Sequence, residues 1–324
     1  MKCSQVNERQ VRDDHSQYHL NRDFFFDRWT IILISSFLPP SLFTSACQKT
    51  PSPAPLTPSN AQAIKMSKPT LVFVPGAWHR AEIWEKVTSL LEQQQQPYKC
   101  IPIELPSTGG DATIGINDDI TAVRNVILSE TKHGRDVILV VHSYGGAVGQ
   151  SAVKGLTRRY PDDLSSADEK PTDHVIGLIM TACGFAQMGS SFLDAIGGSP
   201  PPLWRFDDSG FAVLQLPARE SFYHDLTEGE GEYWVSRLRK QSQRVLKEGG
   251  EWVYDGWMDV PVWYLMTMDD RTFPVEAQEI FAKMARGAGA NVTVREVVSS
   301  HSPMLSRPKE TMEFIVEAAV SLAQ

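Results

Sequence analysis

Val137-Ile138-Leu139-Val140-Val141-His142-Ser143-Tyr144-Gly145-Gly146 is the stretch on which the reading of this chain turns. Its first five residues form a near-continuous apolar run, the mark of a strand covered on both faces. A helix is predicted from Ala147 to Leu156, so Ser143 falls on the turn between them. On so tight a turn a serine oxygen projects from the sheet edge, and the residues two positions away must be small. Gly145 meets that demand; Val141 departs from it, standing where glycine or alanine is usual. The turn also aims a helix N-terminus at the serine, which favours negative charge there. A serine in this position can serve as a helix N-cap alone. The strand before it and the glycines after it make it a candidate nucleophile.

Strands and helices alternate on both sides of this stretch. Strands are predicted at Thr70 to Val74, Tyr98 to Ile103, Asp136 to Val141, Val175 to Ala182, Val262 to Thr267 and Val292 to Val298. Between them, Ala81 to Gln93, Asp118 to Glu130, Val275 to Met284 and Glu310 to Leu322 carry apolar residues at helical spacing. The pattern predicts an α/β fold with about six mostly parallel strands and helices on both faces. Residues 186–258 interrupt it. They are too long for a plain loop inside a compact domain, and the expectation is an inserted helical cap.

A serine becomes nucleophilic when a base takes its proton. Of the eight histidines, His15 and His19 lie in the leader, and His133 and His174 flank the entry side of strands. His142 adjoins Ser143, but neighbouring strand side chains point to opposite faces. His301 follows the last strand in Ser299-Ser300-His301-Ser302-Pro303, at a carboxyl end where an α/β sheet forms its crevice. The orienting acid is expected after Val262 to Thr267, where Asp270 is favoured by its spacing from Pro274 and Asp269 is the alternative. Chain order is then Ser143, Asp270, His301. Two backbone N–H groups are expected to hold a developing oxyanion: that of Tyr144, and that of Ala77 in the loop Val74-Pro75-Gly76-Ala77-Trp78-His79.

These motifs, with Trp84 and Met304, resemble the α/β-hydrolase superfamily over about residues 69–323, in particular the branch of plant methylesterases, hydroxynitrile lyases and related fungal hydrolases. The resemblance implies a carboxylesterase-like serine hydrolase working through an acyl-enzyme. Pro75 stands where esterases of this branch usually carry histidine. Gly76 and Ser302 stand where the lyases carry threonine and lysine, so a departing cyanide would have no cation beside it. The resemblance therefore favours hydrolysis over cyanohydrin cleavage. Two other readings stay open: a lyase or cyclase on the same scaffold, and a small-ligand binding protein without turnover.

The expected substrate is a small to medium apolar ester, lactone or thioester. Trp78 and His79 beside Ala77, and Trp204 among the cap aromatics, are the expected substrate-binding residues. Arg205, Arg219 and His224 are candidates for reading a polar group on it. No metal, nucleotide or flavin is implied, because the chain has no G-x-G-x-x-G after the first strand, no P-loop and no clustered His and Cys. A net charge of −8 without a long basic cluster argues against a nucleic-acid partner. Cys3, Cys47, Cys100 and Cys183 show no C-x-x-C pairing and read as small hydrophobes. Residues 1–66 are a different material: a polar start, an apolar stretch from Trp29 to Ala46 broken by Pro39-Pro40, and a Pro- and Ser-rich linker. An anchor, a secretory signal centred on Ile31 to Leu38, and a functional start at Met66 are the three readings. Membrane contact is expected only if this leader is retained, and a cytoplasmic enzyme if the chain starts at Met66.

Overall fold

A computed structural model describes residues 68–157 and 174–324. The readings of the leader fall outside these residues. In chain order the elements are β1 (Thr70–Val74), α1 (Glu85–Glu92), β2 (Cys100–Pro102), α2 (Ile116–Lys132), β3 (Val137–His142), α3 (Tyr144–Ala152) and β4 (Val175–Thr181). The cap holds α4 (Phe192–Ala195), β5 (Trp204–Phe206), β6 (Phe211–Leu214), α5 (Ala218–Phe222), α6 (Glu228–Arg237), β7 (Gln241–Ser242) and α7 (Arg244–Lys247). The chain returns to the main body with β8 (Val262–Thr267), α8 (Val275–Gly287), β9 (Val292–Val297), α9 (Pro303–Ser306) and α10 (Pro308–Leu322).

Six strands pair in the order β2-β1-β3-β4-β8-β9, and every pairing is parallel. This is the α/β sheet that the alternation predicts. All residues of β1, β3 and β8 are buried, as strands flanked by helices on both faces require. Helix α2 turns Ile116, Ile120, Val123 and Ile127 inward, the one stripe its sequence offers. In β4, Gly177 leaves room for α10: a Cβ there would sit 2.5 Å from the Leu322 side chain.

The strand order reverses between β1 and β3, since β2 lies on one side of β1 and β3 on the other. Loops leaving the two strands therefore part in opposite directions and open a crevice at their carboxyl ends. Register sets what meets there. Val74 lies beside Val141, so Gly76 and Ser143, each two residues further on, arrive side by side.

In the inserted cap a sheet joins the expected helices. Its centre is a three-stranded antiparallel sheet, β5-β6-β7, with short helices around it. The turn Asp207-Asp208-Ser209-Gly210 is the cause. The Asp207 carboxylate accepts from the Phe211 amide at 2.8 Å, and Gly210 supplies a φ of 90°, which closes a hairpin. The flanking aromatic and β-branched residues then pair as strands. Helix α6 occupies the start of the charged stretch around Tyr233 to Leu246; the rest forms β7 and α7. Among the described residues no helix is long and apolar enough to cross a membrane.

Candidate active site

Ser143 has φ 52° and ψ −127°, a backbone that costs a non-glycine residue about 1–3 kcal/mol. Neighbouring groups hold it there. Its amide donates to the Thr181 carbonyl at 3.2 Å, and its carbonyl accepts from Gly146 N–H at 2.8 Å. A Cβ on Gly145 would lie 2.4 Å from the Pro75 carbonyl oxygen, and one on Gly146 would lie 2.8 Å from Cys183. The two glycines thus let α3 press against the end of β1 and the start of the loop after β4. A Cβ on Gly76 would approach the Ser143 Cβ to 3.0 Å, which explains the third glycine. Val141, the departure from the usual small residue, is accommodated from the other side. Gly149 of α3 faces it, and a Cβ there would lie 2.4 Å from Val141 Cγ1. Ser143 itself is half-buried, and its hydroxyl donates no hydrogen bond to any described residue.

His301 and Asp270 arrive together. The ring Nδ1 lies 2.8 Å from Asp270 Oδ2. Three further donors converge on this carboxylate: Thr267 Oγ1 at 2.9 Å, and the Thr272 and Phe273 amides at 2.8 Å each. With four donors aimed at it, the carboxylate has only lone pairs to offer, so Nδ1 carries the imidazole proton and Nε2 is left with its lone pair. Asp269 points away, its side chain about three-fifths exposed. Gln278 fixes the acid turn: its side chain bonds Thr267 N–H and Oγ1 and the Phe273 carbonyl, at 2.7–3.1 Å. His142 Nε2 donates to the His301 backbone carbonyl at 2.8 Å, with the two ring centroids 4.7 Å apart. Burial, then the neighbouring His301 and His79, push His142 well below the usual imidazole range, so it stays neutral.

The loop after β1 carries the other expected amide. Ala77 is buried, and Trp78 takes the left-handed region with φ 62°. Trp78 is fastened to the cap three times. Its amide donates to Gln241 Oε1 at 3.0 Å, its indole N–H to the Ala212 carbonyl at 2.9 Å, and its carbonyl accepts from Arg239 N–H at 2.9 Å. Tyr144, the residue after Ser143, is anchored by its phenol, which donates to Asp119 Oδ2 at 2.8 Å.

His79 calls for a correction. It is expected at the substrate, but both ring nitrogens are taken by the protein. Nδ1 donates to the Ala77 carbonyl at 2.7 Å, so Nε2 accepts from the Tyr223 hydroxyl at 2.6 Å. Burial lowers its pKa to about 3, against the opposing pull of the Ala77 carbonyl. It therefore shapes the loop and has no nitrogen left for a ligand. Trp204 packs its ring 6.3 Å from Trp78 and 5.2 Å from Phe206, and Phe222 lies 6.1 Å from Trp78 and 5.7 Å from His301. These rings form an apolar cluster that reaches the imidazole through Phe222. Of the polar candidates, Arg205 is exposed, Arg219 pairs with Glu220, and His224 is turned to the Asp269 carbonyl at 2.8 Å.

One short piece of the cap, Ser221 to Asp225, touches all three loops of the site. Its Ser221 carbonyl accepts from Thr272 Oγ1 and its His224 donates to Asp269, both in the acid turn. Asp225 accepts from Ser300 N–H at 2.9 Å and the Phe222 carbonyl from Ser300 Oγ at 3.0 Å, both beside His301. Tyr223 reaches the β1 loop through His79. Sequence reasoning passed over Gln241, Asp119, Asp225 and Gln278. Asp119 alone left a signal, as a charged residue beside the apolar stripe of α2. Among the described residues no group of three or more His, Cys, Asp or Glu is placed to hold a metal ion.

Comparison with known proteins agrees with this architecture. The model of the alpha/beta hydrolase family matches residues 71–314. An alpha/beta hydrolase of Aspergillus novofumigatus is 29% identical over 259 residues, covering 78% of this chain and 98% of that protein. Among solved structures, a pyrethroid hydrolase from Sphingobium faniae aligns with TM-score 0.59 at 20% identity, over 78% of this chain and 97% of its own. A methylesterase from Arabidopsis aligns with TM-score 0.58 at 21% identity, over 78% and 99%.

Proposed function

The chain belongs to the alpha/beta hydrolase family, and from that premise we propose that it is a serine hydrolase acting on a small to medium apolar ester, lactone or thioester. The observation that carries this reading is the imidazole of His301, held through Nδ1 by Asp270 at 2.8 Å, at the same sheet rim as the strained turn of Ser143. In the proposed course the Ser143 hydroxyl attacks the acyl carbon while His301 Nε2 takes its proton. The carbonyl oxygen gains the negative charge and is held by the Ala77 and Tyr144 amides. The tetrahedral species collapses, the leaving alcohol or thiol departs with the proton from Nε2, and an acyl-serine remains. Water, deprotonated by the same nitrogen, then releases the acid and restores Ser143. Contacts between base and nucleophile are commonly long until substrate is bound, so the unbonded Ser143 hydroxyl is compatible with this course.

The apolar cluster of Trp78, Trp204, Phe206 and Phe222 supports an apolar substrate portion. Buried Ser302 follows His301 and offers no cation to a departing cyanide, which supports hydrolysis over cyanohydrin cleavage. A fluorophosphonate probe tests the assignment. It should add to Ser143, located by mass spectrometry of the labelled peptide, and leave the Ser143→Ala variant unlabelled. A variant that labels as fast as the wild type ends it. Turnover in ¹⁸O-water then separates hydrolysis from a lyase or cyclase, because only hydrolysis leaves solvent oxygen in the product.

A further inference from the structure

The peptide between Ala77 and Trp78 is gripped along both edges. Its carbonyl accepts from His79 Nδ1, and its N–H donates to Gln241 Oε1 at 3.0 Å. Gln241 comes from the cap strand β7, more than 160 residues away in sequence, and is fully buried. Its other end continues inward. Nε2 donates to Ser107 Oγ at 2.9 Å, and the Ser107 hydroxyl donates to Asp119 Oδ2 at 2.6 Å. The phenol of Tyr144 donates to the same oxygen at 2.8 Å, and Ser107 N–H donates to Oδ1 at 3.0 Å. The chain of bonds starts one residue after Ala77 and ends on the side chain of Tyr144. These are the two residues whose amides the proposed mechanism needs.

The polarity of this chain is fixed from within. A carboxylate can only accept, so Ser107 and Tyr144 must give their hydroxyl protons to Asp119. The Ser107 oxygen is then left as an acceptor, which forces the amino group of Gln241 toward it. The carbonyl of Gln241 must therefore face the Trp78 amide, and the flipped side chain would set donor against donor at one end and acceptor against acceptor at the other. Trp78 needs such a hold, because its φ of 62° is one that a bulky residue adopts only under constraint.

We propose that Gln241 is a positioning residue of the oxyanion hole: from the cap it sets the plane of the 77–78 peptide, and through Ser107 and Asp119 it couples that peptide to Tyr144. The inference rests on the proposed serine mechanism. It gives the cap a part in the chemistry beyond covering the substrate, because the cap supplies the group that keeps the Ala77 amide aimed. A misplacement of about 1 Å in such a donor costs on the order of 100-fold in rate.

The test uses the full chain with 4-nitrophenyl butyrate and a fluorophosphonate. Gln241→Met removes both hydrogen bonds at nearly constant volume. It should lower kcat about 10- to 100-fold with KM within about threefold, and slow fluorophosphonate labelling of Ser143 in parallel. Ser107→Ala cuts the chain at its middle with a smaller change, should lower kcat several-fold, and carries the test if Gln241→Met does not fold. Ser242→Ala is the control, since among the described residues the hydroxyl of this buried neighbour on β7 bonds only the Ala112 and Ile114 carbonyls and the Arg244 amide. It should lose stability and keep its kcat. If kcat in Gln241→Met and Ser107→Ala falls no further than in Ser242→Ala, Gln241 is structural and the inference is overturned. If wild-type Ser143 does not label at all, the serine mechanism fails first and takes the inference with it.

Discussion

Replacing Asp119 by asparagine changes how stability depends on pH, in a direction the structure fixes. Asp119 is fully buried, and burial raises its pKa from the usual 3.8 to about 6, even with Ser107 and Tyr144 donating to it. The folded state thus holds this proton more tightly than the unfolded state does. Between pH 4 and pH 6 the native carboxyl is protonated while the unfolded one has ionised, so stability falls as pH rises through that window. The gap is about two pKa units at about 1.4 kcal/mol each, giving a loss of roughly 3 kcal/mol that is complete above pH 6. Asparagine does not titrate. The assay is urea unfolding of both proteins from pH 4 to pH 8, read as the wild-type minus variant difference. Other carboxylates cancel in that difference, among them Glu130, which Arg135 and Lys99 hold down to about 2. The difference should shrink by about 3 kcal/mol from pH 4 to pH 6 and then stay flat. A difference that is level throughout, or that grows with pH, refutes the reasoning.

Two further outcomes follow from the site. Asp270→Asn puts an amide where Nδ1 and three other donors need an acceptor, so the imidazole loses its tautomer; kcat toward 4-nitrophenyl butyrate should drop about 10⁴-fold with KM nearly unchanged. Gly149→Ala brings a methyl within 2.4 Å of Val141 Cγ1 and should destabilise the fold by about 1–3 kcal/mol. Adding Val141→Ala should return most of that loss, and a double-mutant cycle showing simple additivity would count against the packing argument.

Much of the fold was legible because it is written locally. The strands Thr70–Val74 and Val262–Thr267 begin and end where their apolar runs do. Ser143 is marked as a candidate by the strand before it and the glycines after, and Asp270 and His301 by following strands at the crevice end of the sheet; the last two meet at 2.8 Å. Val141 looked anomalous because the volume rule was applied to one residue, whereas the space belongs to the pair Val141 and Gly149. The cap was harder. Its aromatics and short charged runs carry no clean period, and the Asp207 hairpin that makes it a sheet is a turn signal four residues long. The chain from Gln241 to Tyr144 is drawn from positions 78, 107, 119, 144 and 241, so no window of sequence contains it. His79 was misjudged for the same reason: its partner Tyr223 is distant, and an imidazole next to a candidate oxyanion amide reads as a substrate contact until that partner is seen.

The segment Ser221 to Asp225 bonds the acid turn, the loop bearing His301 and, through Tyr223, the β1 loop. The Asp270 turn, the His301 loop and the Ala77 loop therefore have a common fastening on the cap, as the parts of one cooperative unit do. A fluctuation that peels this five-residue piece from the body would loosen these three loops together, while the buried sheet beneath keeps its pairing. Loss of function under mild stress is then an early, local event that precedes global melting, and hardening that single seam is the most economical route to a sturdier enzyme.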